Sequence, residues 1–154
     1  MPADKRQRAA EAFWRDRESP EIQVQQMEVA ATLARRLNFR VKSIQALPAE
    51  RKGKHLAQLP DVTDAVAMRA LVAYHFAEQR ALMGAFLDGL GLTHDNGLIT
   101  AEEVTAPTVD ALRAAFTSVR QAATFPEDDL RFYLRTLASL DTETWSNVDA
   151  VLQD

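Results

Sequence analysis

Prolines punctuate this chain in a way that leaves few folds open to it. Pro20, Pro48, Pro60, Pro107 and Pro126 each stand where one run of apolar residues stops and another begins. Proline disfavours helix in the residue before it, lacks an amide proton, and is tolerated at the first position of a helix. The runs between the prolines repeat at three or four residues, and none alternates with a period of two. This pattern predicts helices joined by short connections.

Residues 3–17 are rich in Ala, Arg, Glu and Gln, all good helix formers, with Phe13 and Trp14 as anchors. Ser19, Pro20 and Glu21 form a start signal: a side-chain oxygen at the cap, proline at the first position, an acid in the first turn. In the helix that follows, Val24, Met27, Ala31, Ala34 and Leu37 recur at helical spacing and are expected to face inward. The pairs Leu47-Pro48 and Leu59-Pro60 bound short helices over 40–46 and 49–58. Residues 61–89 form the longest helical stretch, apolar on nearly every side from Ala65 to Ala77, with a break expected near Gln79-Arg80. Beyond Pro107 the inward residues are Val109, Leu112, Phe116, Val119 and Ala123; beyond Pro126 they are Leu130, Tyr133, Leu134, Leu137 and Leu140. A last helix carries Trp145, Val148 and Leu152. The expectation is an all-α fold: one helical domain over 1–154, an irregular bundle of about seven to nine helices around a long central apolar helix at 61–89.

Composition supports a folded chain, since 47% hydrophobic and 26% charged residues are ordinary globular values. The absence of cysteine removes disulfides, thiolate nucleophiles and thiolate metal sites. The N-terminal stretch MPADKRQRAA lacks the apolar run of a secretory signal, and no segment reaches the roughly 20 apolar residues of a membrane span, so a soluble cytoplasmic protein is expected.

Charge is the most uneven feature. Between Arg35 and Lys54 there are seven basic residues against Glu50 alone, whereas 81–112 contains five acids and no Lys or Arg. Such polarity can steer partners or orient self-association.

The stretch 93–103, THDNGLITAEE, partly matches a calcium loop, with Gly97 at the sixth position and Glu103 at the twelfth. Leu92 and His94 then occupy the first and third positions, where oxygen ligands belong, and too little negative charge remains. The better reading is a connector. Asn96-Gly97 makes a turn, Thr100 to Glu103 forms a capping box, and Leu98 and Ile99 pack inward.

His75 and Glu78 share a helical face, and with His94 they make the candidate metal set of nitrogen and oxygen ligands. The plainer alternative is a buried histidine bonded to a carboxylate. Glu127-Asp128-Asp129, and Asp61 with Asp64, complement helix dipoles. Ser19, Ser43, Ser118, Ser139 and Ser146 sit in no nucleophile motif, and the five glycines form no phosphate loop. Trp14 and Trp145 are expected in the core.

The leading functional expectation is a non-catalytic interaction module with no cofactor, binding a protein partner or itself through charge-complementary helical faces. Its contact residues would be Arg36, Arg40, Lys42, Arg51, Lys52 and Lys54. A nucleic-acid-binding domain using segment 35–54 is the first alternative, weakened by Phe39 being the lone aromatic there. A metal-dependent enzyme or sensor using His75, Glu78 and His94 is the second.

Overall fold

The computed structural model describes residues 1–18 and 20–154, so the Ser19 cap lies outside the described residues. The fold is all-α: nine helices among the described residues, with one two-stranded hairpin. The chain gathers into two compact units, 1–77 and 78–154.

The first unit contains α1 (Ala3–Arg15), α2 (Pro20–Leu37), α3 (Val41–Gln45), α4 (Ala49–Ala57) and α5 (Asp64–Glu78), the last ending at the boundary. Its core is Phe13, Ile22, Ala30, Leu33, Ile44 and Leu56. α1 packs most extensively on α4. Small buried residues make that approach possible, Ala9, Ala10 and Ala12 on α1 and Gly53 on α4. A Cβ added at Gly53 would lie 2.7 Å from Glu11 Cγ and 2.9 Å from the Glu11 backbone nitrogen. At those separations the Glu11 backbone leaves no room for even a methyl group.

The inward face of α2 differs from the expectation. Ile22, Val29, Ala30, Leu33 and Ala34 are buried, while Val24 and Met27 are exposed. The period is the expected one, rotated about the helix axis. Farther along, the long helix breaks at Gln79, whose backbone leaves the helical region at φ −124°, ψ 19°. α5 starts three residues later than Asp61, with Thr63 Oγ1 accepting from the Val66 amide at 3.3 Å. It is not enclosed on all sides: Ala65, Ala67 and Ala77 face solvent.

The second unit holds α6 (Arg80–Gly89), β1 (His94–Asp95), β2 (Leu98–Ile99), α7 (Val109–Ala122), α8 (Glu127–Leu140) and α9 (Val148–Leu152). Leu82, Phe86, Leu87, Leu112, Leu130, Leu134 and Val148 are fully buried at its centre. Phe86 meets Tyr133 edge to face, with centroids 6.0 Å apart and planes at 88°, the arrangement that the ring quadrupoles favour. Burial also pushes the Tyr133 phenol above its ordinary range. Trp14 and Trp145 are both buried, as the sequence suggests. Leu140 and Ala123 are exceptions: Leu140 is about half exposed, and Ala123 is the left-handed residue that ends α7 at φ 53°. The cap of α7 is Thr108, whose side chain accepts from the Ala111 amide. Thr100 opens no helix, because its amide donates to the Thr93 carbonyl and extends the hairpin instead.

Candidate functional site

Helix α2 ends with a turn that shapes the surface after it. Asn38 adopts the left-handed region at φ 56°, and the Phe39 amide donates back to the Ala34 carbonyl at 2.9 Å. This is the Schellman arrangement, which asparagine tolerates. The chain then runs extended through Arg40 into α3, a helix of five residues that buries only Ile44. Phe39 and Val41 consequently stand in solvent at 53% and 39% exposure. Arg35, Arg36, Arg40 and Lys42 are exposed around them.

Among the described residues, none of Arg36, Arg40, Lys42, Arg51 and Lys54 pairs with a carboxylate. All five are exposed. Lys52 departs from them. It shares the buried face of α4 with Gly53 and Leu56, and its ammonium lies 4.9 Å from the centre of the Trp14 ring. The sequence shows the charge of Lys52 but not its direction. Nor does it show that Phe39 and Val41 are left outside; the only hint is Asn38, a helix-stopping residue just before them.

Within the stretch 93–103, residues 94–99 form a hairpin. β1 and β2 pair antiparallel, with His94 opposite Ile99 and Asp95 opposite Leu98. Asn96 and Gly97 both have positive φ, 48° and 91°, as a two-residue hairpin turn requires. Gly97 also packs so closely that an added Cβ would sit 3.0 Å from Met83 Cβ. Leu98 does not pack inward; it is 52% exposed. Asp95, Glu102 and Glu103 are exposed too, and among the described residues they have no basic partner.

His94 holds this hairpin. Its Nδ1 accepts from the Gly97 amide at 3.1 Å, which places the proton on Nε2, and Nε2 donates to Asp88 Oδ1 at 2.8 Å. Both nitrogens are therefore occupied, leaving no lone pair for a metal. His75 is buried in α5, edge-on to Tyr74 at 5.2 Å, and Glu78 is exposed at the end of that helix. Among the described residues no three His, Asp or Glu side chains gather as a metal ion would need. No described helix is long and apolar enough to cross a membrane.

No family model, curated protein or solved structure matches the chain.

Proposed function

We propose that this protein is an interaction module whose α2–α3 surface docks an acidic, apolar-tipped protein surface, and that a second copy of the chain supplies it. The observation that carries this reading is the exposure of Phe39 and Val41 beside cations that lack counter-charges among the described residues. Exposed aromatic and Arg side chains together are the typical anchors of protein interfaces. The hairpin is their complement, with Leu98 exposed among Asp95, Glu102 and Glu103. Opposite charges would steer the encounter, and apolar contact would hold it. Because the two faces differ, the contact is heterologous, and each copy keeps one face of each kind to offer.

Sedimentation velocity over a range of concentrations tests this. Association is expected at low salt, weakening as salt is raised and the Debye length shortens. Phe39→Ser and Arg40→Glu should each weaken it by about tenfold, the usual effect of losing an interface anchor. A monomer at every concentration and salt would contradict the proposal. Salt-dependent binding of single-stranded or duplex oligonucleotides by a monomeric chain would replace it with the nucleic-acid reading.

A further inference from the structure

The first unit contains a groove of about 360 Å³ bordered by residues of α1, α2, α3 and α4 and by the segment after α1. Its lining among the described residues includes Trp14, Arg17, Met27, Gln45 and Lys52, and no carboxylate. Two cations face this concavity with little to balance them. Among the described residues Lys52 Nζ has one hydrogen-bond acceptor, the Gln45 carbonyl, at a long 3.4 Å, and it lies over the face of Trp14. An ammonium has three donors to satisfy. The Arg17 guanidinium has no carboxylate partner among the described residues. Trp14 Nε1 is buried with no acceptor among the described residues.

The wall is firmly built. Gln26 Nε2 donates to the Phe13 carbonyl at 2.7 Å and the Asp16 carbonyl at 2.9 Å, fixing the end of α1 beside the groove. The second unit offers a useful contrast. A groove there of about 200 Å³ has three arginines, Arg113, Arg120 and Arg131. Two of these are already neutralised, Arg113 by Asp154 at 2.6 Å and Arg131 by Glu127 at 2.8 Å. Among the described residues the groove in the first unit has no such internal counter-ion.

We infer that the groove of the first unit binds a small organic anion, its carboxylate or phosphate head between Lys52 and Arg17 and a short apolar body against Met27 and Trp14. Pairing with both cations is the strong, charge-assisted kind of hydrogen bonding. The volume fits a small metabolite. Burial, then the nearby Arg17 charge, hold the Lys52 ammonium below its ordinary range. A bound anion acts in the opposite direction and raises it again.

The chain has two tryptophans, so its indole N–H resonances can be followed separately by ¹H–¹⁵N correlation. Trp14→Phe identifies the signal of Trp14. The probes are inorganic phosphate, phenyl phosphate, acetate and hexanoate, added at constant ionic strength. At least one should shift the Trp14 resonance saturably while that of Trp145 stays in place. Lys52→Met, which keeps the packed stem, and Arg17→Gln, at an exposed position, should each weaken binding about tenfold. The inference is overturned if no probe gives a saturable shift, or if the shift is unchanged in both variants. Preference among the probes then tells a phosphate head from a carboxylate.

Discussion

Gly53→Ala is expected to destabilise the protein by about 1–3 kcal/mol, the range for overpacking a tight interior. The sign is the informative part. Gly53 lies inside α4, where alanine would ordinarily stabilise a helix by about 0.5–1 kcal/mol. Here the new methyl would meet Glu11 Cγ at 2.7 Å and the Glu11 nitrogen at 2.9 Å. A side-chain tip could swing away, but the backbone of α1 cannot move without disturbing Phe13 and Trp14 on the same helix. Urea denaturation of the full chain measures the effect. A stabilised variant would show that α1 and α4 are farther apart than described.

Phe86→Ala should cost more, about 3–5 kcal/mol, from lost burial and the cavity left behind. Phe86 is wholly buried and is the edge-on partner of Tyr133. The same denaturation experiment reads the loss, and the near-ultraviolet circular dichroism of Tyr133 should weaken with it. Phe86→Leu should recover much of the stability by keeping most of the volume. Leu140→Ala serves as the surface control. At 49% exposure and outside both proposed contact faces, its change should stay within about 0.5 kcal/mol. A Phe86→Ala loss as small as that control would contradict the described core.

Much of the helical order can be read from the chain, because proline acts locally. Pro48 and Pro126 stand at the caps of α4 and α8, and Pro107 directly precedes the cap of α7. The break near Gln79 is legible for a related reason, since the apolar pattern turns polar there. The phase of α2 is less visible. Its alanines fit either face, so spacing alone cannot choose Ile22 and Leu33 over Val24 and Met27. Thr100 and Thr108 are both plausible caps by residue type, and what separates them is the Thr100 amide, committed to a hairpin partner seven residues earlier.

The candidate sites divide along the same line. The excess of positive charge at 35–54 is plain in the sequence. Which of those charges reach solvent depends on packing, and packing turns Lys52 toward Trp14 while leaving Arg51 and Lys54 exposed. The role of His94 was likewise hidden. Its tie to Asp88 joins α6 to the hairpin, a contact that spacing does not specify.

The most direct test of the interaction proposal is to mix two variants, each disabled on one face. Phe39→Ser with Arg40→Glu removes the α2–α3 face, while Asp95→Lys with Leu98→Ser removes the hairpin face. Each variant alone should sediment as a monomer, because it lacks one half of every contact. The mixture should form a one-to-one complex through the face each partner retains. Association of either variant alone, or no complex in the mixture at concentrations where the unaltered chain associates, would contradict it.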